Sequence, residues 1–227
     1  MATTEPFLMT GRVGPQTGAD GDERVARFGH QLEQIVGQLH GNYYETTRRG
    51  RVFSQAATPL GLAIPIYTAT ALAGGMPIWN PAGSGVNVVP IEIGVAYGSG
   101  TADFGAIGLM AISTGLSAIA TGAFITAFAE TTPKNGFFSK GSASQVKSSN
   151  AGTVTTTAGA AGDWQRTLFT INLEAQTGTA HATTAAKYEF DGSFILPPGC
   201  HMYVAATKAS AALYATYVVW EEVPIFE

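Results

Sequence analysis

The sequence predicts a mainly β protein: an antiparallel β-sandwich or jelly roll preceded by an N-terminal arm and one amphipathic helix. Three observations carry that expectation. Charged residues make up only 12 % of the chain, about half the usual share, and Gly, Ser and Thr supply the polar balance, which suits strands and turns. After residue 51, about eight apolar segments are separated by Gly- and Pro-rich turns, the spacing of a sandwich or jelly roll. The single cysteine, Cys200, allows no intrachain disulfide, so stability has to come from burial.

Two regions follow from this pattern. Residues 1–50 read as an arm and helix for attachment or oligomerisation, and residues 51–227 as the β domain. The arm, 1–21, is broken by Pro6, Gly11, Gly14, Pro15, Gly18 and Gly21 and carries no hydrophobic period. Over 22–40, Val25, Phe28, Leu32, Ile35, Val36 and Leu39 recur at helical spacing and form one apolar stripe. Asp20 or Asp22 supplies an N-cap and Gly41-Asn42 the stop. That stripe has to be covered, either by the chain's own sheet or by the same helix of neighbouring copies. Residues 42–55 read as a linker, in which Arg48, Arg49 and Arg51 form a basic cluster suited to a partner's carboxylates. With a net charge of −4 and no wider basic face, nucleic acid is not the expected partner.

The distinctive stretch is 64–90. It reads as two strand candidates, Ala63–Ala71 and Val86–Ile93, around the turn-rich Trp79-Asn80-Pro81-Ala82-Gly83-Ser84-Gly85. From Val52 to Ala129 only Glu92 and Asp103 are charged, two residues in 78. A sheet with one face in water needs more charge than that, so much of the surface is expected to be covered, by subunit contacts, or to be neutral Thr, Ser and Gly surface. Further strands are expected near 105–114 and 122–130. The 26-residue uncharged run Phe104–Ala129 is long enough to cross a membrane. Its glycines, its hydroxyl residues and its lack of a basic flank favour two buried strands joined near Gly115, so no membrane partner is expected. The opening residues lack the basic and apolar regions of a signal peptide. Residues 131–163, rich in Ser, Thr and Gly, read as a long polar loop projecting from the surface. Strands resume at Trp164–Glu174, Tyr188–Leu196, Met202–Thr207 and Ala212–Val219.

The quoted heptapeptide together with Ala63-Ile64-Pro65, and the late run Phe194-Ile195-Leu196-Pro197-Pro198-Gly199 with Tyr203-Val204-Ala205 and Val219-Trp220-Glu221-Glu222, resembles virion-associated structural proteins of tailed, podovirus-like bacteriophages. The resemblance spans roughly residues 50–225. It implies a jelly-roll-like domain in a homo-oligomer, a trimer being favoured, mounted in the virion after assembly in the host cytoplasm. The partners would be other virion proteins, such as the major capsid, portal or tail proteins. It brings no catalytic residues with it.

Catalytic, cofactor and metal sites are not expected. His30 and His40 are ten residues apart, His181 falls in a polar segment, and Cys200 and His201 point to opposite faces of a strand. No Walker A sequence or Gly-x-Ser-x-Gly elbow occurs. The expected function is therefore a bacteriophage structural protein, for example a capsid decoration or head–tail component. The alternative is a receptor- or carbohydrate-binding module of a fibre or spike, with Trp79 and Trp164 as ligand-facing aromatics. A capsule depolymerase is the third reading, and it requires two carboxylates converging in a cleft.

Overall fold

Strand β12 (Leu213–Pro224) shows how the sequence builds its sheets. Along it, Tyr214, Thr216, Val218, Trp220 and Glu222 are buried, while Ala215, Tyr217, Val219 and Glu221 are half-buried on the other face. This is the period-two pattern of a strand with one face in the core. The computed structural model describes residues 41–58, 60–100, 105–118, 125–138, 141–150, 153–156, 162–171 and 185–225. The arm and the helix expected over 22–40, with Val25, Phe28, Leu32, Ile35, Val36 and Leu39, lie outside the described residues. The chain divides into two units, Met1–Tyr44 and Glu45–Glu227.

The second unit is mainly β. Strand β12 lies at the centre of a five-stranded antiparallel sheet. Its neighbours are β3 (Val86–Ser99) and β1 (Val52–Ala56), with β10 (Ala185–Glu189) beyond β3 and β6 (Lys134–Asn135) beyond β1. A second antiparallel sheet runs β7 (Lys147–Ser148), β2 (Ile78–Asn80), β11 (Cys200–Ala206), β4 (Gly105–Ser113) and β9 (Asp163–Ile171). The two sheets share one core. Phe53, Val88, Ile93, Val218 and Trp220 from the first meet Ile78, Leu109, Leu168, Met202 and Val204 from the second. Phe53 and Trp220 stack with ring centroids 6.2 Å apart, and burying each ring contributes on the order of 2–3 kcal/mol.

A third, two-stranded sheet of β5 (Ile125–Phe128) and β8 (Val154–Thr156) supplies a second cluster. Leu72, Met110, Val154, Tyr203 and Ala205 pack there, with Phe128 and Trp164 against them. Met110, Tyr203 and Ala205 alternate with the shared-core residues of their own strands, so they occupy the outward face of the second sheet. The chain therefore covers part of that face itself. Part of the charge deficit over 52–129 thus has an internal cause, a cover supplied by the chain's own β5 and β8.

Several expected elements differ. Residues 62–71, which include the strand expected over 63–71, form no strand, only isolated bridges from Leu62 to Tyr214, Ile66 to Ala206 and Ala71 to Thr155. This segment passes from β12 to β11 to β8, so no single neighbour offers it a ladder, and Pro65 has no N–H to donate. The end of the expected linker, 52–55, falls in β1 (Val52–Ala56), and Trp79 and Asn80 of the turn-rich stretch fall in β2 (Ile78–Asn80). The polar run 131–163 is not a single projection. It donates β6, β7 and β8 to three different sheets, and side-chain hydrogen bonds hold it down. Buried Glu222 accepts from Ser144 Oγ, from the Gln145 N–H at 2.9 Å and from Trp220 Nε1 at 3.3 Å. Ser148 Oγ donates to buried Gln55 Oε1 at 3.0 Å. The run Phe104–Ala129 contains β4 and β5, and among the described residues no helix is long and apolar enough to cross a membrane.

Candidate functional site

The residues singled out from sequence do not converge. Trp79 is 3 % exposed, with its ring 5.9 Å from that of Phe128 and no acceptor for Nε1. It lies beneath the β5–β8 layer, so the expected ligand-facing ring is corrected to a packing residue. Trp164 is half-buried on β9 and packs against the same cluster, over Gly108, where a Cβ would stand 2.1 Å from its Cζ2. Strands β11 and β4 separate the two tryptophans.

The arginines are spread along the start of the β unit. Arg48 closes the short helix α1 (Tyr44–Arg48) and pairs with Glu45 at 3.3 Å. Arg49 is exposed in the turn that follows. Arg51 precedes β1 and its carbonyl accepts from the Glu222 N–H at 2.9 Å. Burial raises the pKa of Glu221, and the charge of Arg51 opposes that rise. Arg48 and Arg51 therefore have carboxylates of their own chain to face.

The outward face of the first sheet was not foreseen as a site. The strand registers align Ala56 with Tyr217, Tyr217 with Gly94, and Ala215 with Ala96, which in turn faces Ala185. A groove of about 370 Å³ crosses four strands here, lined by Ala56 of β1, Ala215 and Tyr217 of β12, Ala96 of β3, and Ala185 and Lys187 of β10. Its depth comes from alanine side chains set beside one large ring. Tyr217 forms the wall by lying over Gly94, where a Cβ would stand 2.0 Å from its Cε1.

Beyond the wall is a charged group. Lys187 Nζ lies 2.5 Å from Glu189 and 3.4 Å from Glu92, two carboxylates that sit opposite one another across the β10–β3 pair. Glu189 first, and Glu92 second, raise the lysine's pKa. Burial raises the Tyr217 pKa, and its hydrogen bond to Glu92 adds to the rise. The sequence held a signal for this face: the outward parity of 213–219 reads Leu213, Ala215, Tyr217 and Val219, with no charged residue.

On the second sheet, His201 is fully buried between Trp79 and Ile112 in register, and burial lowers its pKa from 6.5 to about 3. Among the described residues, no group of three His, Cys, Asp or Glu is placed to hold a metal ion. The chain matches no family model, no curated protein and no solved structure.

Proposed function

We propose that this chain is a virion building block with a jelly-roll domain, assembling as a homo-oligomer, with a trimer favoured. The strand order carries this reading. Setting aside β5 to β8 leaves eight strands, which fall into the orders β1-β12-β3-β10 and β2-β11-β4-β9. This is the interleaving produced by two Greek keys wound between facing sheets. Strands β5 to β8 then form an insertion between the fourth and fifth strands of that scaffold. The resemblance of residues 50–225 to tailed-phage structural proteins supports the same assignment. A scaffold of this kind works by presenting faces to neighbours, and the mechanism is assembly, not turnover. Its partners are further copies of itself and other virion proteins.

Two measurements test the reading. Light scattering of the purified chain across a wide concentration range is expected to give a mass of three or more copies; a monomer throughout overturns the homo-oligomer. Mass spectrometry of gradient-purified phage particles is expected to find the chain at the abundance of a structural component; its absence from intact particles overturns the virion assignment.

A further inference from the structure

We propose that copies of this chain join head to tail, with Phe137 and Phe138 of one copy seated in the alanine groove of the next. The inference rests on the building-block reading and names its contact. Phe138 is 88 % exposed and Phe137 40 %. Leaving a phenyl ring in water forgoes about 2–3 kcal/mol that burial would give, yet the backbone at Phe137 is held in place. Asn135 Nδ2 donates to the carbonyls of Gly50 at 2.7 Å and Ser142 at 3.0 Å, its Oδ1 accepts from the Phe137 N–H at 2.8 Å, and the Gly141 N–H donates to the Phe137 carbonyl at 3.0 Å. A backbone fixed in advance loses little freedom on docking.

The groove fits such an occupant in size. An apolar cavity of about 150 Å³ accommodates one benzene ring, so the groove of about 370 Å³ has room for two. The loop and the groove lie at opposite ends of β1. The Gly136 N–H donates to the Val52 carbonyl at one end, and Ala56 lines the groove at the other, about 14 Å away at the rise of a strand. A second copy is therefore the occupant, and the contact is heterologous, closing into a ring when the rotation allows.

Charge favours the same pairing. Lys134 precedes the loop. The α1 turn, with Arg48, Arg49 and Glu45, lies alongside it, Gly136 and Thr47 being near neighbours. Among the described residues at this end of β1, Lys134, Arg48, Arg49 and Arg51 are cationic, and Glu45, Glu221 and buried Glu222 are the carboxylates. Beside the groove, Glu92 and Glu189 outnumber Lys187. Opposite signs on the two surfaces steer a head-to-tail approach and disfavour like surfaces meeting.

The test compares the oligomers of the unsubstituted chain, Phe138→Asp and Ala215→Arg by light scattering. Each substitution is expected to raise the dissociation constant roughly 30-fold or more, the loss of one hot spot, while at dilutions where both chains are monomeric the thermal unfolding of Phe138→Asp matches that of the unsubstituted chain. In a Cys200→Ser background, chains carrying Phe138→Cys mixed with chains carrying Ala96→Cys are expected to form mixed disulfide dimers on oxidation. Oligomers that persist in Phe138→Asp, with no mixed crosslink, overturn this contact and leave the building-block reading standing. A monomeric unsubstituted chain overturns both.

Discussion

Tyr217 lies flat over Gly94, its register partner on β3, and the missing side chain of that glycine is what gives the ring its place. A Cβ added at Gly94 would stand 2.0 Å from Cε1 of the ring. Gly94→Ala is expected to destabilise the chain by about 1–3 kcal/mol, the usual cost of overpacking, as a lower urea midpoint. Removing the ring as well, in Gly94→Ala with Tyr217→Ala, is expected to recover part of that loss. Additive effects in the double-mutant cycle would show that the two residues do not compete for the space.

Glu222 ties the segment at Ser144 and Gln145 to the central strand. It is buried and accepts from Ser144, Gln145 and Trp220. Glu222→Ala strands those donors and is expected to cost about 2–4 kcal/mol. Limited proteolysis is expected to cut near 141–146 in the variant and not in the unsubstituted chain. Protection of that segment in both would refute the anchoring role.

Burial keeps the His201 imidazole neutral, with its pKa lowered from 6.5 to about 3. The unfolded chain takes up this proton near pH 6.5, the folded chain only near pH 3. The stabilisation is complete above pH 6.5 and is lost as the pH falls towards 3, by up to about 1.4 kcal/mol per pH unit. His201→Gln does not titrate, so its stability is expected to fall less steeply in that window. Parallel urea-midpoint curves for the two chains would contradict this.

The three tryptophans report on the layers. Trp79 is 3 % exposed, Trp220 is 0 % exposed and Trp164 is half-buried. Acrylamide is expected to quench mainly Trp164, so Trp164→Phe should remove most of the quenchable fluorescence. Unchanged quenching in that variant would mean that the β5–β8 layer opens over Trp79.

Alternation made much of the sheet scaffold legible. The parities of 213–219 and the apolar run from Val86 mark β12 and β3, the strands with the longest ladder. Strand β1, with the sequence VFSQA, hid because Gln55 and Ser54 look like linker residues; in the fold Gln55 is buried and bonded to Ser148. Strands of two or three residues, such as β2, β6 and β7, are too short for any period to show. Trp79 was misplaced for a different reason. Its outward parity is correct for a lone sheet, but the layer that covers it comes from β5, some 46 residues later in the chain. The alanine groove went unseen because it is assembled from four strands, and most of the side chains that line it are small.

The central place of β12 has a consequence for synthesis. Val52 pairs with Glu221 and Val86 with Pro224, so β1 and β3 are joined only through β12, a strand synthesised more than a hundred residues after both. Until then each carries an exposed edge in a nascent chain that already holds its apolar residues. A message truncated before β12 would release a chain with both edges unsealed, a substrate for chaperones or proteases and not a slightly weakened protein.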